Sequence, residues 1–263
     1  MKLLERIRYK LDYATAPHTR ELNKPNEDRL ITDSERGIFI VLDGVTRVHS
    51  EYKSAPFKSA AGDVGDIFIG AVYRYLCEHI SDPEPRAILE GAIREANQLI
   101  LDYRRQKSKE EWGFYPSTLG IISFLREGRL YYASCGDCIG VLLRGGARMI
   151  FARELALEAV DLHSVSKKER YDIYCNHPEN HLSYTVFNGD EAVMEGVEYS
   201  FIDIYEGDTL FLATDGIADY LKYEKSQELI RAGAEEMISL SGEYDRPPYA
   251  EYADDKTLIK LSF

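Results

Sequence analysis

The chain has 263 residues, of which 32 are basic and 45 acidic, for a formal charge of −13. With 44% hydrophobic and 29% charged residues, it is neither disordered nor fibrous, and no apolar run approaches the roughly 18 residues that span a bilayer as a helix. The acidity also argues against nucleic acid, whose phosphates need clustered Lys and Arg.

At the N-terminus, MKLLERIRYKLDY carries charges where a secretory signal needs its apolar stretch, so the expectation is a cytoplasmic protein that does not act at a membrane. RIRYKLDYAT and RGIFIVLD then read as strands, rich in β-branched and aromatic residues. Two helical patterns follow. The first, about Pro56 to Ile80, places Ala60, Val64, Ile67, Phe68, Ala71, Val72 and Tyr75 mostly three or four apart. The second, about Glu84 to Gln106, starts after Ser81-Asp82-Pro83 and carries Ile88, Ala92, Ile93, Ala96, Leu99 and Ile100. STLGIISFL, RLYYASC and IGVLLRG read as strands, with turns at Glu127-Gly128 and Gly145-Gly146, so residues 117–151 are expected to form an antiparallel meander. A strand at LFLAT, a helix from Lys225 to Leu240 and a last strand, KTLIKLSF, complete the pattern. No Pro/Gly/Ser-rich linker divides it. One α+β domain over residues 1–263 is expected, with antiparallel sheets packed on each other and helices outside.

Four cysteines, Cys77, Cys135, Cys138 and Cys175, are too few for a disulfide scaffold of this length. Cys135 and Cys138 form one C-x-x-C, but both flanks read as strand, without the helix start of a redox motif or the second pair of a zinc site. Reduced thiols are the expectation.

The acids carry the chemical signal through their positions. Asp43 follows the apolar FIVL and precedes Gly44; Asp215 follows LFLAT and precedes Gly216. Asp137 lies in SCGDC, Asp254 and Asp255 precede the last strand, and Glu27 and Asp28 lie in NEDR. Any one Asp-Gly after a strand is an ordinary turn signal. Several acids at strand ends can instead converge at one end of a sheet, where they repel one another unless a cation sits among them. Oxygen ligands select Mg²⁺ or Mn²⁺ over zinc, and two such ions can activate a water for in-line attack on phosphorus.

These residues resemble the metal-dependent (PPM, type 2C) Ser/Thr protein phosphatases. NEDR at 26–29 is similar to the family's first acidic motif and FIVLDGV at 39–45 to its strand and Asp-Gly. PSTLGIISF at 116–124 resembles the Gly-Ser-Thr segment, and LYYASCGDCIGVLL at 130–143 the Asn-x-Gly-Asp-Ser stretch. HPENHLSYTVFNGD at 177–190, LFLATDGIADYL at 210–221 and ADDKTLIKL at 253–261 resemble the later motifs in order.

The resemblance implies a four-layer α-β-β-α sandwich with two antiparallel sheets packed face to face. It implies that Asp43 bridges two Mg²⁺ or Mn²⁺ ions and that the Gly44 carbonyl ligates one of them. Asp215 and Asp254 complete the other ion, and Glu27 and Asp28 hold metal-bound waters. Asp137 and Asp219 match acids that hold a third, weaker ion in many members. The implied reaction is direct attack of a metal-bridging hydroxide on phosphoserine or phosphothreonine; the expected partner is a phosphorylated protein or a small phosphorylated substrate, and the expected state is a monomer.

The sequence also departs from the family pattern. Asn23 stands where an arginine grips the substrate phosphate, which leaves Lys24 and Arg47 as candidate cations. DGVTR replaces Asp-Gly-His-Gly-Gly, so the histidine of the general-acid place is missing, with His49 a possible stand-in. Two alternatives therefore stay open: a weakly active or inactive regulatory module with this fold, and a phosphatase for a small phosphorylated metabolite, since residues 152–176 are short for a peptide-docking flap.

Overall fold

The structure, a computed structural model, describes residues 8–17, 25–45, 59–106, 116–152, 173–177, 179–180, 182–245 and 254–263. Among them are two five-stranded antiparallel sheets. The first runs in the order β1 (Lys10–Ala16), β10 (Lys256–Ser262), β9 (Thr209–Ala213), β6 (Ile139–Arg144) and β7 (Ala147–Ala152). The second runs β2 (Arg29–Asp33), β3 (Ile38–Val45), β4 (Ser117–Arg126), β5 (Arg129–Cys135) and β8 (Glu198–Asp203). Helices α1 (Ala60–His79) and α2 (Pro85–Arg105) cover the second sheet. A short α3 (Val193–Gly196) precedes β8, and α4 (Ala218–Tyr223), α5 (Ser226–Arg231) and α6 (Ala234–Leu240) lie between β9 and β10 in sequence. This is the expected four-layer sandwich.

The layers follow from side-chain alternation. On β6, Leu142 joins the core between the sheets, whereas Ile139, Val141 and Leu143 face a second cluster with Ile217, Tyr220, Leu229 and Met237. β9 repeats the pattern, with Leu210 and Leu212 on one face and Phe211 and Ala213 on the other. Ile38 to Leu42 of β3 are all fully buried, because one face of that strand meets the opposite sheet and the other meets α1. A continuous apolar run is the sequence form of such a strand.

Two expectations are corrected. Residues 117–151 are two hairpins in different sheets instead of one meander. β4 pairs with β5 and β6 with β7, through turns whose central residues, Glu127-Gly128 and Gly145-Gly146, all have positive φ. That is the two-residue geometry a twisted hairpin favours. β5 and β6 do not pair with each other; their partners are β8 and β9. The chain leaves one sheet for the other at Gly136, at φ +73°, where an added Cβ would lie 2.6 Å from Leu119 Cδ2. Only glycine fits there.

The expected helix from Lys225 to Leu240 is broken at Ala232-Gly233. Lys260 Nζ donates to the carbonyls of Leu229, Ile230 and Ala232 at 3.0, 2.7 and 2.6 Å, and Ala234 N–H donates to Asp12 Oδ2 at 3.0 Å. Distant side chains thus satisfy the backbone groups that a break exposes. Arg29–Asp33 and Glu198–Asp203 are strands the sequence reading did not single out, both at sheet edges.

Candidate metal centre

The acids meet where the two sheets adjoin. Asp43 is near the end of β3, opposite Leu119 of β4, and its carbonyl accepts the Thr118 hydroxyl at 2.6 Å. Asp137 lies in the crossing from β5 to β6, and Asp215 opens a 3-10 turn directly after β9. Asp43, Asp137 and Asp215 each offer a carboxylate oxygen, and these lie within 4.8 Å of one another.

Asp28 comes in ahead of β2. Its Oδ2 accepts the Thr214 hydroxyl at 2.9 Å, and the Thr214 Oγ1 in turn accepts Thr257 N–H at 2.9 Å. Glu27 N–H donates to Asp255 Oδ2 at 2.9 Å, which ties the first acidic motif of the chain to the last across 228 residues. Gly44 packs so tightly on Glu27 that a Cβ at residue 44 would lie 2.5 Å from Glu27 Cβ.

Crowding raises the proton affinity of these acids. Asp43 is pushed well above the usual carboxylate range by burial first, then by Asp215, Asp28, Asp254 and Asp137. Asp215 is pushed up likewise, by burial and then by Asp137, Asp254 and Asp28, against a lowering pull from Gly216 N–H. Asp28 rises to about 8 through burial and the facing Asp255, although the hydroxyls of Thr214 and Thr257 oppose the shift. Asp28 Oδ1 and Asp215 Oδ1 are buried and find no hydrogen-bond donor among the described residues. Buried carboxylate oxygens without donors, set among other carboxylates, fit hard divalent cations.

Neither a protein-family model nor a curated protein sequence matches the chain. Solved structures do match it. The Mycobacterium tuberculosis serine/threonine phosphatase PstP/Ppp aligns over 97% of this chain and 98% of its own, with a TM-score of 0.65 at 19% identity. The catalytic domain of PstP in complex with two manganese ions aligns over 97% of each chain, at 0.66 and 17% identity. RsbX in complex with magnesium aligns over 99% of this chain and 98% of its own, at 0.55 and 15% identity. The fold is that of the PPM Ser/Thr phosphatases.

Within this phosphatase fold the predicted site residues divide into groups. Asp28, Asp43, Asp137, Asp215 and Asp254 come together, each acting electrostatically on at least one of the others. Glu27 lies beside Gly44, and its carboxylate accepts the hydroxyl of Ser59. Asp219 is on α4, where Lys222 pairs with it at 3.2 Å. Lys24, Arg47, Asn23 and His49 lie outside the described residues. His177 and His181 have the four-residue spacing of a zinc pair, but His181 is also outside them, and the described metal-capable cluster is made of carboxylates alone.

Cys135 and Cys138 are buried and form no disulfide among the described residues; burial pushes the Cys138 thiol well above its usual range. Thr118, Thr214, Thr257 and Ser59 support the acids and were not picked out from the sequence. The signal for two of them is adjacency, Thr214 next to Asp215 and Thr118 in the Ser-Thr pair after Pro116. Arg29 braces the acidic loop by donating to the carbonyls of Asn26, Asp28 and Gly62 at 2.8, 2.9 and 3.1 Å.

Proposed function

We propose that this chain is a Mg²⁺- or Mn²⁺-dependent phosphatase that hydrolyses phosphoserine and phosphothreonine monoesters of proteins. The observation that carries the reading is the trio Asp43, Asp137 and Asp215, with carboxylate oxygens within 4.8 Å of one another. The orphaned oxygens of Asp28 and Asp215 support it. Asp43, the Gly44 carbonyl, Asp215 and Asp254 would hold two ions, with Glu27 and Asp28 behind them and Asp137 and Asp219 toward a third. When bound, the ions supply charge neutralisation for the phosphate and a water acidic enough to attack phosphorus directly.

The protein residues have their own tasks. The clustered aspartates would hold the ions, the carboxylate oxygens of Asp43, Asp137 and Asp215 already lying within 4.8 Å of one another. The threonine hydroxyls fix the Asp28 carboxylate and the Asp43 backbone, and the paired backbone of β3 and β4 keeps the Gly44 carbonyl in place. Arg47 and Lys24 are the candidates for gripping the substrate phosphate, which dications neutralise only in part. Arginine can bind two of its oxygens at once and lysine only one.

The test is hydrolysis of p-nitrophenyl phosphate and of a phosphothreonine peptide with Mn²⁺, with Mg²⁺ and after chelation by EDTA. Activity on both substrates that vanishes with EDTA and in Asp43→Asn is expected. Full turnover after exhaustive chelation would overturn the metal-dependent reading. Turnover of the small ester alone would shift the substrate class to phosphorylated metabolites.

A further inference from the structure

We infer that Ser59 is a positioning residue for Glu27, one hydroxyl serving both to start helix α1 and to fix an acid of the metal centre. Ser59 is buried and precedes α1 directly, where its Oγ accepts Gly62 N–H at 3.1 Å as the helix N-cap. That N–H can only donate, so the cap uses a lone pair and leaves the single hydroxyl proton uncommitted. Its acceptor is Glu27 Oε1. The directions of both bonds are therefore fixed by chemistry, since a carboxylate oxygen beside a capping hydroxyl can only accept.

Glu27 is clamped elsewhere as well. Its N–H is held by Asp255 Oδ2 at 2.9 Å, and its Cβ sits against Gly44, where no side chain could be accommodated. Beyond Cβ, the Ser59 hydroxyl holds one oxygen of the carboxylate. A helix cap needs only an acceptor, and aspartate would cap as well as serine. Holding Glu27 needs a donor. The inference rests on the phosphatase reading for the purpose of Glu27: a carboxylate with one oxygen tied is pre-set in orientation for an ion beside Gly44, as outer hydrogen bonds do for metal ligands.

The experiment is calorimetric titration of the full chain with Mn²⁺, run beside thermal melts, for the parent and for Ser59→Ala, Ser59→Thr and Arg74→Gly. Arg74 is an exposed position of α1 whose ion pair with Glu95 is on the surface, so Arg74→Gly weakens the helix without touching Glu27. Ser59→Ala should weaken Mn²⁺ binding about 10-fold or more. Ser59→Thr, which keeps the hydroxyl, should restore it, and Arg74→Gly should lower the melting temperature while binding Mn²⁺ as the parent does. If Ser59→Ala binds Mn²⁺ as tightly as the parent, or if Arg74→Gly loses as much affinity as Ser59→Ala, Ser59 is a cap and nothing more. A parent chain that takes up no Mn²⁺ would overturn the metal reading and this inference together.

Discussion

At the scale of single residues, the acids next to glycines at strand ends were legible because Asp43-Gly44 and Asp215-Gly216 interrupt apolar runs abruptly. Their supports were not, since Ser59 and Thr257 reach the centre only through the tertiary fold. Crowding makes a prediction for Asp215, whose carboxyl is desolvated and faces Asp137, Asp254 and Asp28. Asp215→Ala should abolish hydrolysis yet leave the metal-free melting temperature level or raised, because removing one acid relieves repulsion and an unpaired buried oxygen. A fall of more than about 5 °C, roughly 2 kcal/mol in a domain of this size, would mean that Asp215 is a turn residue first. Arg47→Ala should lower kcat/KM toward a phosphopeptide by about 10-fold, equivalent to about 1.4 kcal/mol of transition-state binding, with Lys24→Ala costing less. Parent kinetics in both variants would place the phosphate grip elsewhere.

At the scale of elements, the long helices announced themselves through period, and the structure starts α2 at Pro85 and ends it at Arg105, within a residue of the reading. The stretch Lys225 to Leu240 misled because its local pattern is helical throughout, whereas its partners, Asp12 and Lys260, come from the first and last described strands. Lys260 is buried, and its ammonium holds three carbonyls. Lys260→Met keeps the length and apolar stem but leaves those carbonyls without their donor. It should destabilise the protein by about 2–3 kcal/mol, read as a drop in melting temperature, while leaving Mn²⁺ affinity unchanged. A melt identical to the parent's would show that the break in the helix is held by other means. The expected meander differs for a related reason: two short hairpins look alike in sequence whether they share a sheet or not, and the crossing that separates them is only three residues, 136–138.

Across the whole molecule, the shared elevation of Asp28, Asp43 and Asp215 links folding to pH. An acid whose folded pKa is raised keeps its proton where the unfolded chain has lost it, so the folded state binds more protons over that window. For Asp28 the window runs from the ordinary 3.8 to about 8. Stability of the metal-free protein should therefore fall as pH rises from about 4 to about 8, and the loss should shrink or vanish with saturating Mn²⁺, which stabilises the ionised acids. Melts at pH 5 and pH 8, with EDTA and with Mn²⁺, test this. A metal-free protein more stable at pH 8 than at pH 5 would contradict the cluster's electrostatics.

Pairing of β1 with β10, in register from Lys10 opposite Ser262 to Ala16 opposite Lys256, joins the two ends of the described chain, and the bond from Glu27 to Asp255 lies just beside it. Contacts so distant in sequence form late. During translation, Asp43, Asp137 and Asp215 leave the ribosome well before Asp254 and Asp255, and β10 is needed to bring those last acids to the first ones. A nascent chain stalled before Lys256 should take up no Mn²⁺. On the phosphatase reading proposed above, the centre is complete only once β10 has been made, so translation fragments that stop before it would be harmless to phosphorylated neighbours.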